Sequence, residues 1–218
     1  MRWSRFLVLV AAVYAGSAAG AGAQQPRPHG RLFPPQDLGL LEAPDRDGWQ
    51  RPDRIMDALG IADASRVADV GAGSGWFTIR LARRVGPQGL VYAQDVQQEM
   101  LNAISRRVQR EGLANVRPVL GRGSDPRLPA GNLDAVLIVD AYHEFEDSVA
   151  LLANVAEALK PQGKVGVIDF RVEGGGPGPD LEERVDPDVV VADAREAGLR
   201  LIANETFLPY QYFLIFAK

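Results

Sequence analysis

Val67-Ala68-Asp69-Val70-Gly71-Ala72-Gly73-Ser74-Gly75-Trp76-Phe77-Thr78 is the most informative stretch of this chain: a short apolar run with an acid is followed by three alternating glycines. A pattern typical of a helix comes directly afterwards. Glycine lacks a Cβ, so the chain can turn sharply here and a ligand can lie against bare backbone. A helix beginning near Gly75 directs free N–H groups at that ligand. The stretch predicts a cofactor loop at the carboxyl edge of a parallel strand.

The spacing of the glycines separates two kinds of cofactor. A dinucleotide-binding loop has glycines at positions corresponding to Gly71, Gly73 and residue 76. Residue 76 is Trp76, and the third glycine comes one residue earlier, at Gly75. Asp69 stands two residues before the first glycine, where an acid suits a cofactor with an ammonium group better than one with a pyrophosphate. A nicotinamide oxidoreductase is therefore the weakest of the functions considered.

A second acid, Asp95, ends the next apolar run at 89–95. Its carboxylate could accept hydrogen bonds from both hydroxyls of a ribose. The ordered set, an acid followed by G-x-G-x-G and then by a further acid after the next strand, resembles the class I S-adenosylmethionine-dependent methyltransferases. This resemblance implies S-adenosylmethionine as the cofactor.

Composition limits the classes of protein to which the chain can belong. Its 218 residues fit one domain, and 46% hydrophobic with 24% charged residues is typical of a globular protein. The net charge of −4 offers no basic footprint for nucleic acid. The absence of cysteine excludes disulfides and thiolate metal sites, and with only two histidines the sequence predicts no multi-histidine metal site.

The N-terminus has the pattern of a secretory signal peptide. Arg2 and Arg5 precede an apolar run at 6–13, and small residues continue to an A-x-A-like site at 21–23. We expect a signal peptide over 1–23, with cleavage after Ala23, and an exported, periplasmic protein without stable membrane insertion. An uncleaved N-terminal membrane anchor is the alternative. Residues 24–44 are expected to be a linker, followed by the main domain over 45–218.

Strand and helix patterns alternate through the main domain. A first helix has Pro52 in its first turn and ends at Gly60. The predicted strands that follow are 66–70, 90–94, 116–120, 133–139 and 164–170, and the helices between them are 76–85, 96–110 and 148–159. Apolar strands separated by amphipathic helices predict a parallel sheet covered on both faces.

The C-terminal part breaks this alternation. After a helix near 188–197, two strands at 200–207 and 210–217 are separated by only Leu208-Pro209. So short a link permits an antiparallel hairpin and excludes a parallel crossover. The predicted fold class is α/β: a Rossmann-like class I methyltransferase fold, with a mostly parallel seven-stranded sheet, a C-terminal antiparallel hairpin and helices on both faces.

The resemblance extends from about Trp49 to the C-terminus and is strongest to a bacterial exported group of small methyltransferases. The segments behind it are 46–52, 67–78, 124–129, 140–145 and 208–214. It implies that Asp69 meets the amino end of the cofactor. It also implies the other cofactor-binding residues: Gly71, Ala72 and Gly73 against the homocysteine and ribose, Asp95 on the ribose hydroxyls, Val96 on the adenine, Ser124 or Asp125 at the adenine amino group, and Asp140 at the pocket floor.

Each of these assignments has a structural alternative. The glycines could serve only a tight strand-to-helix turn, and Asp95 could cap the helix behind it. Ser124-Asp125-Pro126 is also a good turn sequence without any ligand. An unpaired Asp69 would be costly if buried, so we expect it to have a partner.

His143 is the candidate catalytic residue, because it follows the fourth strand at the edge where ligands bind in open α/β folds. The ordinary pKa of histidine suits a general base near neutral pH. Glu144 or Glu146 could orient it. Alternatively, it hydrogen-bonds a loop or caps the following helix. Trp49 and the glycine-rich segment 173–179 could close over the site or pack as ordinary surface.

The sequence thus predicts transfer of a methyl group from S-adenosylmethionine to a small-molecule acceptor that it does not identify. The alternative is a non-catalytic protein that binds S-adenosylmethionine or S-adenosylhomocysteine on the same scaffold. Export favours that alternative, because the cofactor is made in the cytoplasm. No oligomeric state is predicted.

Overall fold

The strands of the molecule form one sheet. The computed structural model describes residues 31–218, and its strands are β1 (Arg66–Val70), β2 (Leu90–Asp95), β3 (Val116–Leu120), β4 (Leu133–Val139), β5 (Leu159–Phe170), β6 (Arg200–Glu205) and β7 (Gln211–Ala217). Their order across the sheet is β3-β2-β1-β4-β5-β7-β6. β1 to β5 are parallel, whereas β7 is antiparallel to both β5 and β6. The predicted fold class is confirmed.

Helices fill the connections between the strands. They are α1 (Arg46–Gln50), α2 (Pro52–Leu59), α3 (Trp76–Val85), α4 (Gln98–Arg110), α5 (Ser148–Ala158) and α6 (Pro187–Glu196), with 3₁₀ turns at Pro35–Glu42, Tyr142–Glu144 and Leu181–Glu183. Pro52 occupies the first position of α2, where its missing N–H costs nothing. Gly60 ends α2 in a left-handed conformation with φ 73°, as predicted.

Both faces of the sheet are buried. On one face, Val136 and Ile138 of β4 pack with α5 and α6; on the other, Ala135 and Leu137 pack with α2 and α3. Because successive side chains of a strand point to opposite faces, burial on both sides requires an apolar residue at nearly every position. This explains the continuous apolar run of β4.

Two element boundaries differ from the predictions. The fourth helix begins at Gln98 rather than residue 96, because the Asp95 carboxylate accepts the Gln97 N–H and holds that segment in a turn. β5 begins at Leu159 rather than residue 164. Leu159 pairs with Leu133, and regular pairing resumes between Lys164 and Ala135 after a register shift. The expected break at 160–163 is therefore an irregularity inside a strand, where Pro161 lacks the N–H that a regular ladder requires.

The C-terminal hairpin has a longer connection than predicted. β6 ends at Glu205 and β7 begins at Gln211, so residues 206–210 form the link instead of Leu208-Pro209 alone. The backbone at 206, 207 and 210 leaves the ladder. The antiparallel arrangement inferred from the short connection is nevertheless observed.

The expected signal peptide and the first part of the expected linker lie outside the described residues. Within 31–44, the chain forms a 3₁₀ helix over Pro35–Glu42 that contacts the main domain, and residues 45–50 form α1. None of the helices found in 31–218 has the length and apolar character needed to cross a bilayer.

Candidate active site

The glycine loop lies between β1 and α3, at the carboxyl edge of the sheet. Gly71, Gly73 and Gly75 all adopt positive φ angles, of 70°, 53° and 78°. At Gly71 a Cβ would lie 2.5 Å from the Cβ of Ala141, which follows β4. The loop thus needs glycine both for its backbone conformation and for its approach to the next strand connection.

Asp95 at the end of β2 is joined directly to this loop. One carboxylate oxygen accepts the Gly73 N–H at 2.9 Å, and the other accepts the Gln97 N–H at 2.9 Å. The residue is 6% exposed, and burial raises the pKa of its carboxyl above the ordinary value. A carboxylate has about four acceptor positions, so both backbone bonds leave capacity for a ligand. The alternative role predicted for Asp95 was to cap the following helix. Its carboxylate instead binds the turn that precedes α4.

Apolar surface lies beside Asp95. Val96, the next residue, is 37% exposed, and Leu120, which pairs with Asp95 across β2 and β3, is 42% exposed. Exposed aliphatic side chains next to a buried carboxylate provide a surface on which a flat aromatic ring can pack. This is where the sequence prediction puts the adenine.

Ser124 and Asp125 form a turn. A carboxylate oxygen of Asp125 accepts the Arg127 N–H at 2.8 Å, and Asp125 exchanges backbone hydrogen bonds with Arg122. The Ser124 carbonyl accepts a hydrogen bond from the side chain of Asn154 at 2.9 Å. These contacts match the turn interpretation, and contact with an adenine amino group stays a prediction.

Asp69 is buried behind the loop and has the partner that its burial requires. Its carboxylate accepts a hydrogen bond from the Thr78 hydroxyl at 2.6 Å, and the residue is only 2% exposed. Burial raises its pKa to about 6, against the opposing effects of the Thr78 hydrogen bond and the Arg46 charge. A carboxyl in this state can respond to a cation placed nearby.

Asp140, directly after β4, is the centre of a polar network. It accepts hydrogen bonds from Arg46 at 2.9 Å, from Gln50 at 3.3 Å, and from Gln211. Gln50 and Gln211 also bond to one another at 3.0 Å. Burial raises the pKa of Asp140 to about 6 even though Arg46 lowers it. Asp140 has a φ of 55°, which is strained for a residue with a Cβ and recurs at functional sites.

His143 pairs with a buried acid that sequence reasoning did not identify. Its ring Nδ1 lies 3.1 and 3.0 Å from the two carboxylate oxygens of Asp169, and its backbone N–H donates to the same carboxylate at 3.2 Å. Asp169 is fully buried near the end of β5, and His143 is 8% exposed. The sequence did contain a signal for this role of Asp169. It is an acid in the otherwise apolar end of a strand that pairs with β4.

The charges around His143 control its protonation. Burial lowers its pKa, but the hydrogen bond and charge of Asp169, with the charges of Glu144 and Asp140, outweigh burial and raise the pKa to about 9. Burial likewise raises the pKa of Glu144 to about 7, while His143 lowers it and Asp95 raises it. Glu144 therefore acts on His143 through its charge, and Asp169 is the hydrogen-bonded partner.

The segment before α2 covers the glycine loop. We call residues 33–50 the N-terminal strap. A Leu41 methyl lies against Gly73, 3.2 Å from the position that a Cβ would take. Glu42 pairs with Arg107 of α4 at 2.5 Å, and the Phe33 carbonyl accepts from the Gln97 side chain at 3.0 Å. The sequence contained no periodic pattern here that could have predicted this role.

Trp49, in the strap, packs at the far end of the same edge. Its ring centroid lies 6.2 Å from that of Phe170 and 6.0 Å from that of Tyr210. The glycine-rich segment covers these rings: a Cβ at Gly176 would lie 2.3 Å from the Tyr210 ring, and one at Gly178 would lie 2.7 Å from the Phe170 ring. Trp49 therefore belongs to an aromatic cluster with Phe170 and Tyr210.

The sheet edge fits the cofactor that the resemblance implies. The glycine loop presents bare backbone, and the Ser74 hydroxyl within it is buried without a hydrogen-bond partner in the described part of the chain. S-adenosylmethionine carries a sulfonium and an ammonium, and four carboxyl groups, Asp69, Asp95, Asp140 and Glu144, surround the same edge with raised pKa values. Asp95 and Val96 are the expected polar and apolar partners of a nucleoside.

Comparison with known proteins agrees with this geometry. Residues 67–163 match a family described as a methyltransferase domain. The chain is 34% identical to nocamycin O-methyltransferase of Saccharothrix syringae over 114 residues, which are 52% of this chain and 41% of that protein. It is 31% identical to demethylmenaquinone methyltransferase of a Geobacillus strain over 110 residues, covering 50% and 47%. The chain thus spans less than half the length of these two relatives.

A solved structure extends the similarity over more of the chain. A SAM-dependent methyltransferase from Aquifex aeolicus has a TM-score of 0.80 and 28% sequence identity, covering 84% of this chain and 98% of that one. The similarity therefore extends well beyond the domain matched at residues 67–163. The domain match, the sheet order and the structural similarity show that the chain has the Rossmann-like fold of the methyltransferases that it resembles, and they support S-adenosylmethionine as its cofactor.

Proposed function

We propose that this protein transfers the methyl group of S-adenosylmethionine to a small-molecule acceptor. The observation that carries the proposal is the 2.9 Å hydrogen bond between the Gly73 N–H and the Asp95 carboxylate. This bond joins the glycine loop to the acid expected to bind the ribose. The loop backbone and the carboxylate that a nucleoside site needs are therefore held side by side. The bond also fixes the carboxylate before any ligand arrives, which reduces the entropic cost of binding.

The cofactor supplies an activated methyl carbon, so the protein's task is to bind, orient and exclude water. Gly71, Ala72 and Gly73 offer backbone to the cofactor, Asp95 holds the ribose, and Val96 packs on the base. Asp69 and Asp140 supply negative charge close to the cationic end of the molecule. The burial and hydrogen bonds of these residues support the roles that the resemblance implies.

We assign His143 the part of proton acceptor for the methyl acceptor. Asp169 binds Nδ1, so Nε2 is the ring nitrogen that no residue within 31–218 engages. A group that takes a proton must lie within hydrogen-bond reach of it, and His143 stands on the 3₁₀ turn after β4, next to the glycine loop. Its burial helps to exclude water from the proton transfer.

A small acceptor is favoured by how little chain is available for recognising a large one. The connections at the carboxyl edge are short, and the longest, residues 171–186, contains the glycine-rich segment that covers the aromatic cluster. The two relatives named above have small molecules in their names, and this supports the same class of acceptor here.

Calorimetric titration of the full chain with S-adenosylmethionine and with S-adenosylhomocysteine tests the proposal. We expect micromolar binding of both, and a loss of at least tenfold in Asp95→Ala. Asp134→Ala is the matched control, because Asp134 lies at the opposite end of the sheet and bonds to Lys160 and to the Arg66 N–H. Unchanged affinity in Asp95→Ala would remove the ribose assignment. Absence of binding in the folded wild type would remove the function.

A second function is a non-catalytic protein that binds S-adenosylmethionine or S-adenosylhomocysteine. The observation that favours it is the state of His143, whose pKa of about 9 keeps the ring protonated at neutral pH. A bound cationic cofactor would lower that pKa and restore the base, whereas a sensor would not need a base at all. Methyl turnover on any acceptor would exclude this alternative.

We also propose that the protein is exported to the periplasm, with its signal peptide at 1–23 and an uncleaved anchor as the alternative. The support is the sequence pattern of that segment. Mass measurement of the protein recovered from its native host tests the proposal. A mass corresponding to a start at Gln24 supports cleavage, and an intact Met1 in the membrane fraction supports the anchor.

A further inference from the structure

The strand β6 and the helix α6 form a surface at the edge of the sheet, away from the glycine loop. Among the strands of 31–218, β6 pairs only with β7, so its outer backbone groups face no other strand. α6 packs on both of these strands. Four strand spacings separate β6 from β1, which is a distance of about 19 Å. We call the exposed side chains of 188–195 on α6 and of 200–205 on β6 the β6 surface.

Apolar side chains lie in the middle of the β6 surface. Leu201 is 38% exposed and Ile202 is 39% exposed, while Val191 of α6 is only partly buried against the core. Between Leu201 and Ala203, β6 has one residue more than the facing part of β7. Such a bulge disturbs the alternation of buried and exposed positions and interrupts the outer row of backbone groups. We therefore expect contacts at this edge to be made by side chains rather than by a continuous ladder.

The β6 surface has a basic end and an acidic end. Only residues 197–199 connect α6 to β6, so Arg195 near the end of the helix lies at the same end as Arg200, the first residue of the strand. β6 is parallel to β5, because β7 is antiparallel to both, and α6 must therefore run in the opposite direction to β6. This puts Asp188 of α6 and Glu205 of β6 together at the other end.

The four charges at these ends are available to a partner. Asp188, Arg195 and Arg200 are exposed and Glu205 is half-buried. None of the four side chains has an ion-pair partner within 31–218. Most of the other arginines on the helices α3 and α4 do pair, as Arg83 does with Glu111.

This arrangement of charges is complementary to itself. A two-fold axis through the middle of β6 places two copies side by side with their β6 strands antiparallel. Arg200 of each copy then faces Glu205 of the other, and Arg195 approaches Asp188. The apolar centres of the two surfaces meet at the axis. A parallel arrangement would instead bring like charges together at both ends, which disfavours it.

We propose that the protein forms a two-fold symmetric dimer through the β6 surface, with a second copy of this chain as the partner. Arg200 and Glu205 determine how the two copies align, and Leu201 and Ile202 supply the apolar contact. Because the axis relates identical surfaces, the association closes at two copies. The carboxyl edge of β1, with its glycine loop, lies outside the interface in both copies.

The opposite edge of the sheet lacks these features. The edge strand there is β3, which contains Pro118 and the exposed Arg117 beside it. Proline has no N–H for a neighbouring strand, and a charge in the middle of an edge strand opposes pairing. β6 contains no proline, and its charged residues stand at its two ends with opposite signs. The proposal therefore uses one edge only.

Sedimentation velocity of the full chain, over about a hundredfold range of micromolar concentrations, tests the proposal. We expect the wild type to reach a mass twice that of one chain. The reversals Arg200→Glu and Glu205→Arg should each weaken self-association at least about tenfold, because like charges then meet at both ends. The double variant Arg200→Glu/Glu205→Arg should recover association, since each reversed charge meets a reversed partner. Arg117→Glu on β3 is the matched control and should associate as the wild type does.

Two further measurements separate the β6 surface from other sources of association. A mixture of the two single variants should form a mixed dimer, because the acidic surface of one faces the basic surface of the other. Ile202→Lys should weaken self-association at least about tenfold by placing a charge in the apolar centre. Circular dichroism checks that each variant is folded. A monomeric wild type, a double variant as weak as the single ones, an equal loss in Arg117→Glu, or association unchanged by Ile202→Lys would overturn the proposal.

Discussion

Arg46 and Asp140 lie 2.9 Å apart although 94 positions separate them in the chain, and both side chains are largely buried. The ion pair fastens the N-terminal strap to the end of β4. Arg46 also donates to the Leu41 carbonyl at 2.6 Å, so one guanidinium organises the strap and the sheet edge together. Arg46 thus joins the strap to the sheet edge, beside the contacts that Glu42 and Phe33 make with Arg107 and Gln97.

Removal of the Arg46 guanidinium should destabilise the folded protein. In Arg46→Met, Asp140 remains buried without its cation, and we expect the free energy of unfolding to fall by about 3 kcal/mol. Arg83→Met is the matched control, because Arg83 pairs with Glu111 at the surface and should lose less than about 1 kcal/mol. Urea denaturation compares the variants. Equal losses would show that the buried pair has no special importance.

The glycine loop can be tested with two glycines of similar φ. A Cβ at Gly71 (φ 70°) would clash with Ala141, whereas one at Gly112 (φ 64°) meets nothing within 4 Å. Gly112→Ala should therefore cost only the backbone strain, about 1 kcal/mol, and keep cofactor affinity. Gly71→Ala should cost more and lose cofactor binding at least tenfold. Calorimetry with S-adenosylhomocysteine distinguishes the two, and similar affinities would refute the close-approach argument.

His143 should make the stability of the protein depend on pH in the alkaline range. Its folded pKa of about 9 exceeds the unfolded value of 6.5, so the folded state holds the proton more tightly. The stabilisation, about 3 kcal/mol, is complete below pH 6.5 and is lost as pH rises through 9. Chemical denaturation between pH 6 and 10 should show this loss in the wild type. Asp169→Asn should flatten the curve, and an unchanged slope would contradict the pairing.

Cofactor affinity should fall on acidification. The pKa values of Asp69 and Asp140 are about 6 and that of Glu144 is about 7, so these carboxyls take up protons between pH 7 and 5. A cationic ligand favours the ionised carboxylates, so binding should release protons in that range. Titration of S-adenosylmethionine in buffers of different ionisation enthalpy measures the release. Proton uptake, or affinity independent of pH from 8 to 5, would oppose the charge argument.

The glycine-rich segment allows a second matched pair. A Cβ at Gly176 would penetrate the Tyr210 ring, whereas a Cβ at Gly175 meets nothing within 4 Å, and both residues have positive φ. Gly176→Ala should push the segment off the aromatic cluster and expose Trp49, shifting its fluorescence to longer wavelength. Gly175→Ala should leave the emission of Trp49 near that of the wild type. The same emission from both variants would show that the segment does not cover the rings.

Features of the fold that depend on a single local property of the chain were predicted correctly from the sequence. The glycine loop, the helix end at Gly60 and the continuous apolar run of β4 follow from backbone freedom, capping and two-sided burial. The expectation that a buried Asp69 needs a partner is met by Thr78. The start of β5 was missed because Leu159 is held by Leu133 on a neighbouring strand, which no local pattern around Pro161 reveals.

The pairings across the site could not be derived from the sequence. Asp169 meets His143 only because β4 and β5 are neighbours in register, and Arg46 meets Asp140 only because the strap folds back over the edge. Glu144 and Glu146 were the expected partners of His143 because they are adjacent in sequence. The nearest acid in space came from another strand, 26 positions away.

The position of Leu41 over Gly73 has a kinetic consequence. A ligand that packs against the backbone of Gly73 has to displace this side chain, which lies in the same segment as Phe33 and Glu42 and their contacts with Gln97 and Arg107. If the proposed methyl transfer takes place here, entry of the cofactor and departure of the product both require Leu41 to leave Gly73. The rate at which this short segment detaches from α4 would then set an upper limit on turnover, whatever the rate of the chemical step.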